Sequence, residues 1–140
     1  MNSKLQIEFK KMIKNERVAV ITGAASGIGL ELAKVCIRKQ MHVVMADNNA
    51  ALLKEKADEL DRNASTDVLG VRCDVTKLND VRELASQTIE RFNRVDLLIN
   101  NAGISGHFAP IWELNIEHVR HVLDVNLHGV IHGVQAFLPY

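Results

Sequence analysis

The chain has 140 residues, enough for one domain with its own core, and its 47% hydrophobic and 24% charged content is that of an ordinary globular protein. The 17 basic and 17 acidic side chains cancel, which leaves no basic footprint for nucleic acid. No apolar run is long enough to cross a bilayer; even Val95–Ile99 is interrupted by Asp96.

Residues 1–16 read as a lead-in, a helical turn or two. They are net basic through Lys4, Lys10, Lys11 and Lys14, but they also carry Glu8 and Glu16. No continuous apolar stretch follows, so the segment does not read as a secretory signal, and its acidic residues argue against a transit peptide. Residues 17–140 then alternate strand-like and helix-like segments, the pattern of an α/β fold with a parallel sheet. Four nearly continuous apolar runs predict strands buried on both faces, at Val18–Thr22, His42–Asp47, Val68–Asp74 and Val95–Asn100. Between them run 3.6-residue stripes that predict helices. In the first, Ile28, Leu32, Val35 and Cys36 form the apolar side and Glu31, Lys34 and Arg38 the polar side. Leu53, Ala57 and Leu60 mark the second. Val81, Ala85, Ile89 and Phe92 mark the third, with Thr76 as its expected N-cap. A loop with Gly103, Gly106 and Pro110 precedes a long helix from about Asn115 to about Phe137. There is no internal repeat or linker, so residues 17–140 form a single domain on this reading. Cys36 and Cys73 have no metal-ligand spacing and read as two buried free thiols in a reducing compartment, with the cytoplasm as the default location.

The chemistry-bearing residues sit where strands end. The first strand runs into Thr22-Gly23-Ala24-Ala25-Ser26-Gly27-Ile28-Gly29, which opens a helix. Glycines let backbone approach a pyrophosphate, and the free N–H groups at a helix N-terminus attract it. Without a Gly-Lys-Ser/Thr ending, the loop is not that of an ATP- or GTP-hydrolysing protein. Asp47 ends the second strand, about 18 residues after Gly29. There a carboxylate accepts hydrogen bonds from adenosine ribose hydroxyls and repels a 2′-phosphate. Its neighbours Ala46, Asn48 and Asn49 are uncharged and the glycine loop has no basic residue, so NAD is favoured over NADP. The alternative is a strand-terminal Asp that caps a turn. After the third strand Asp74 can reach an adenine amino group while Val75 covers the ring; the alternative is an ordinary loop Asp.

The fourth strand leads into Asn100-Asn101-Ala102-Gly103, and the next helix carries Val125-Asn126. Each motif is modest, but the ordered set closely resembles the short-chain dehydrogenase/reductase superfamily across about residues 15–140. The resemblance implies a Rossmann-like parallel sheet with helices on both faces, incomplete here, with its first four strands in the order 3-2-1-4. It implies an oxidoreductase that interconverts a small-molecule alcohol and carbonyl with NAD, or less readily NADP. Gly23, Ala25, Ser26, Gly27, Ile28, Gly29, Asp47, Asn48, Asp74, Val75, Asn101, Ala102 and Gly103 would hold the cofactor. Asn126 matches the asparagine of the family's catalytic tetrad, where it helps hold a water in a proton relay. A helix-interior amide can also bond backbone and distort its helix locally, which is compatible with that role.

The family's catalytic serine, and its tyrosine followed four positions later by lysine, have no match. Tyr140 is the only tyrosine, and no lysine follows it. Proton donation to a developing alkoxide needs an acid whose pKa a neighbouring cation has lowered. The chain therefore reads as a truncated piece, inactive alone, with its fourth strand left as an apolar edge. The competing functions are a non-catalytic nucleotide-binding or subunit-interaction fragment, and a methyltransferase, against which Asn-Asn-Ala-Gly argues. The resemblance also implies a homo-oligomer packed through the final helix. On that helix His118, His121, His128 and His132 would fall within about 80° of arc; a polar stripe is the plainer reading than a metal site. The stretch Ser105–Trp112 is expected to form one wall of a substrate site.

Overall fold

The computed structural model describes residues 17–140; the expectation of a lead-in over residues 1–16 lies outside them. Four parallel strands, β1 (Val18–Thr22), β2 (His42–Asp47), β3 (Val68–Arg72) and β4 (Leu97–Ile99), form one sheet in the order β3-β2-β1-β4. The helices are α1 (Gly27–Arg38), α2 (Ala50–Asn63), α3 (Leu78–Phe92), α4 (Ile116–Leu123) and α5 (Gly129–Phe137). Between α4 and α5 a π turn, Asp124–His128, keeps the helix unbroken, and a short 3₁₀ turn spans Ile111–Glu113.

The apolar runs are explained by the two layers they serve. In β1 every residue is buried. Val18 and Val20 face one layer with Val44, Ala46, Leu84 and Phe137; Ala19 and Ile21 face the other with Val43, Met45, Ala33 and Leu53. Helices α1 and α2 therefore cover one face, and α3 and α5 the other. Each fully buried Val, Leu or Ile contributes about 1.5–3 kcal/mol through lost contact with water, so the central pair β1–β2 holds most of the sheet's driving force. Asn93, in the left-handed conformation (φ 57°), closes α3.

The structure differs from the sequence reading in four places. Strands β3 and β4 are shorter than the runs Val68–Asp74 and Val95–Asn100, because Cys73 to Val75 and Asn100 already belong to loops that turn over the sheet's end. The N-cap of α3 is Lys77, not Thr76; the Thr76 hydroxyl is taken by Asp74, to which it donates at 2.7 Å. Helix α1 packs through Gly29, Ala33 and Cys36, and Ile28 and Val35 are exposed. The small residues let α1 lie close on the sheet, and this rotates Ile28 out over the strand ends. The long final helix contains the π turn, which rotates its second half relative to its first.

Asp96 anchors the opposite end of the sheet. Its carboxylate accepts from the N–H of fully buried Val18 at 2.8 Å and pairs with Arg94 through two bonds. The Arg94 bond, aided by the Val18 N–H, holds this carboxyl below the usual carboxylate range. Because the value is depressed on folding, the stabilisation is complete above the ordinary carboxylate pKa and fades as pH falls through the lower folded value. Asp96→Ala should lower the unfolding free energy by about 1–3 kcal/mol at pH 7, since it strands a buried donor, and should flatten the acid limb of stability. Urea titrations of both proteins between pH 7 and pH 2 check both effects.

Candidate functional site

The carboxyl ends of all four strands open onto one cleft of about 420 Å³, the usual place for a ligand in an open parallel sheet. The loop after β1 forms its floor. Gly23 (φ 64°) and Gly27 (φ 53°) take left-handed conformations that a side chain would strain. A Cβ on Gly27 would meet nothing within 4 Å, whereas one on Gly29 would lie 2.2 Å from the Gly23 carbonyl oxygen. Gly27 thus leaves backbone open to the cleft, and Gly29 lets α1 begin directly against the loop. The N-cap Ser26 makes no side-chain cap, and the first turn of α1 has no acidic residue. The N–H groups of that turn and the positive end of the helix dipole are left to a ligand.

This loop is tied to the loop after β4. The buried Thr22 hydroxyl oxygen accepts from the N–H groups of Asn101 and Ala102, both at 3.1 Å. In return, Asn101 Nδ2 donates to the carbonyls of Thr22 at 3.0 Å and Gly23 at 3.1 Å. Two loops 79 residues apart are held as one surface.

The two carboxylates are fixed by local turns. Asp47 Oδ2 accepts from the Ala25 N–H at 3.1 Å and Oδ1 from the Asn49 N–H at 3.0 Å. Asp74 Oδ1 accepts from the Thr76 N–H and hydroxyl, and Lys77 lies 3.3 Å from its other oxygen. Burial works to raise the Asp74 pKa, but the Thr76 bonds and the Lys77 ammonium outweigh it and keep this group ionised well into acid. The cleft reading of each residue is therefore compatible with its alternative, a turn cap for Asp47 and a loop Asp for Asp74: each accepts from the backbone of its own turn, and each lines the cleft with acceptor capacity to spare.

Asn126 sits in the π turn and does not line the cleft. Its amide forms a two-point clamp on the backbone of Ile104: Nδ2 donates to the carbonyl and Oδ1 accepts from the N–H, both at 2.9 Å. The backbone it bonds belongs to the loop, not to its own helix, and the helix around it is distorted into a five-residue turn.

Of the remaining sequence-predicted residues, Gly23, Ser26, Gly27, Ile28, Asn48, Val75, Asn101, Ala102 and Gly103 line the cleft. Ala25 and Gly29 are buried behind it; Ala25 holds Asp47 and Gly29 is a spacer. Sequence reasoning missed Cys73, Ile104, His121 and Val125 as lining residues. Cys73 and Ile104 directly adjoin quoted motifs, and His121 and Val125 are one helical turn apart, so adjacency and spacing were the available signals. The Cys73 thiol is pushed up to about 12, chiefly by burial and further by Asp80 and Asp74, which makes it inert. Residues of the Ser105–Trp112 stretch do not line this cleft; Phe108, Ile111 and Trp112 are exposed. The four histidines are parted rather than striped. His118 stacks on His107, His121 lines the cleft, His128 bonds Asp124 and His132 bonds the Val75 carbonyl. Among the described residues no three His, Cys, Asp or Glu side chains are grouped to hold a metal, and no helix is long and apolar enough to cross a membrane.

Residues 17–140 match the family described as short chain dehydrogenase. YxnA of Bacillus subtilis (strain 168), described as an uncharacterized oxidoreductase, is 37% identical over 137 residues, 98% of this chain and 37% of that protein. The crystal structure of a short-chain dehydrogenase/reductase from Burkholderia phymatum in complex with NAD shares the fold with a TM-score of 0.83 and 41% identity, over 88% of this chain and 43% of that one. The alcohol dehydrogenase of the archaeon Thermococcus sibiricus, complexed with 5-hydroxy-NADP, gives a TM-score of 0.84 at 35% identity, over 88% of this chain and 52% of that one. The chain spans about a third to a half of the length of the curated relatives it matches. Its Rossmann-like sheet, with the order β3-β2-β1-β4, is the one those structures share. With the family matched from residue 17 to residue 140 and the fold held in common, the chain belongs to the short-chain dehydrogenases.

Proposed function

We propose that this chain forms the nicotinamide-dinucleotide half-site of an oxidoreductase that interconverts an alcohol and a carbonyl, with NAD preferred over NADP. The observation that carries this reading is the convergence on one cleft of an open helix N-terminus and two pre-oriented carboxylates, Asp47 and Asp74. An elongated dinucleotide fits that donor set: a diphosphate at the helix end and hydroxyl or amino donors at the acids. Gly23, Ser26, Gly27 and Ile28 would hold the diphosphate, with Gly29 and Ala25 shaping the loop behind them. Asp47 and Asn48 would take the adenosine ribose, Asp74 and Val75 the adenine. Asn101, Ala102 and Gly103 would flank the nicotinamide side, and Asn126, through Ile104, would keep that side in place. The bound cofactor supplies the hydride acceptor or donor. The relatives that hold NAD and an NADP derivative support a nicotinamide cofactor, and the uncharged sequence neighbours of Asp47, Ala46, Asn48 and Asn49, support NAD.

A second reading is non-catalytic binding or subunit packing. It is favoured by the exposed apolar side chains Leu123, Leu127, Ile131 and Val134 on the final helix and by the outer edge of β4, which pairs with no strand among the described residues. On both readings the chain by itself is inactive, because it carries no tyrosine with a lysine four positions on; the two buried thiols suit the cytoplasm.

In calorimetric titrations the chain should bind NADH at least about ten-fold more tightly than NADPH, the factor that ~1.4 kcal/mol of repulsion between Asp47 and a 2′-phosphate produces. Asp47→Ala should narrow that ratio; an equal affinity of the unaltered chain for both would overturn the NAD preference. The same protein, offered NAD with a panel of alcohols, should give no turnover above the protein-free rate. Sustained NADH formation would show that the proton-transfer machinery lies within these residues after all.

A further inference from the structure

The final helix meets the cleft and the loop behind its wall at separate places. Within the π turn Val125 lines the cleft and Asn126 clamps Ile104. Beyond the turn, Gly129 and His132, one turn apart on α5, face the loop after β3. A Cβ on Gly129 would lie 2.8 Å from Val75 Cγ2 and 3.1 Å from Val75 Cβ, so the helix backbone packs directly on the Val75 side chain. The Nδ1 of half-buried His132 lies 2.8 Å from the Val75 carbonyl oxygen. A carbonyl only accepts, so Nδ1 carries the proton and donates it.

Val75 has a side chain in the cleft wall and lies beyond the end of β3 at Arg72, outside the sheet's own hydrogen-bond ladder. Asp74 beside it is fixed by Thr76 and Lys77. Val75 is fixed from behind by α5, at its side chain through Gly129 and at its carbonyl through His132. The other three histidines of this helix do other things: His118 stacks on His107, His121 lines the cleft and His128 bonds Asp124.

We propose that His132 is a positioning residue for the purine end of the cleft: its Nδ1–H holds the Val75 carbonyl, and thereby sets the Val75 side chain as a wall against an adenine ring. This rests on the reading of the cleft as a dinucleotide site. His132 acts through Val75 and touches no reacting atom.

The test compares NADH and ADP-ribose affinities, by calorimetry, of the unaltered chain, His132→Leu and His132→Asn, with thermal melts of each. His132→Leu removes the donor and should weaken both ligands about five-fold, the effect of losing one hydrogen bond to a part-buried carbonyl. His132→Asn, whose amide nitrogen falls near the place of Nδ1, should return affinity to within about two-fold of the unaltered chain. Unchanged affinity in His132→Leu overturns the proposal and leaves the cofactor reading intact. So does a folded His132→Asn variant that binds as weakly as His132→Leu, because the effect would then be one of packing. If the unaltered chain binds neither ligand, the dinucleotide reading itself fails and this inference fails with it. Should His132→Leu not fold, nitrogen-15 spectra of the unaltered chain decide: Nδ1 must be protonated and its resonance must move when ADP-ribose is added. An unprotonated Nδ1, or one indifferent to ADP-ribose, overturns the proposal.

Discussion

The mutual hydrogen bonding of Thr22 and Asn101 is the constraint on which the cleft depends. One hydroxyl accepts from two successive N–H groups, and one side-chain amide donates to two successive carbonyls. These are part-buried backbone groups where β1 and β4 run out into their loops, and the bonds add to the pairing that such groups require. Satisfying them reciprocally fixes the distance between the β1 and β4 loops more tightly than either strand alone could. Gly29 then fits into what remains, with no room for a Cβ between the Gly23 carbonyl and the Asn101 amide. The open helix end is a consequence: α1 can start this close to β1 only because the loop above it is locked.

The acids complete the surface by a similar economy. Asp47 and Asp74 each cap the turn that follows their strand, and each still presents carboxylate oxygen to the cleft. A carboxylate held by backbone donors is pre-oriented, so a ligand's hydroxyl or amino group meets it without first ordering a mobile side chain. Ala25 adds a link between the two ends of that system, since its N–H ties Asp47 to the glycine loop.

How legible all this was in the sequence depends on the range of the interaction. Strands β1 and β2 were readable to the residue because burial on both faces demands an unbroken apolar run. The glycine loop and Asp47 were readable because backbone conformation and strand ends are local matters. Thr76 reads as a cap because its hydroxyl oxygen could accept from a helix N–H, but the hydroxyl turns back to donate to Asp74 and the helix begins one residue later. Ile28 was placed on the buried side because its stripe fits as well as the true one; only the close approach allowed by Gly29 and Ala33 decides between them. The contact of His132 with Val75 spans 57 residues, and that of Asn126 with Ile104 depends on a turn of the helix that no 3.6-residue periodicity announces.

By closing its hydrogen bonds over five residues where an α-helix closes them over four, Asp124–His128 resets the phase of everything after it, and one rod then meets Ile104 with Asn126 and Val75 with His132. Closed instead as plain α turns, the same residues would swing Gly129, His132 and Gly133 by roughly 100°, away from Val75, which Gly129 and His132 meet, and from Asn100, against which Gly133 packs. The backbone closure of this one turn thus decides which side chains the second half of the helix offers to the loops, and Asn126 within it holds the loop brought into reach.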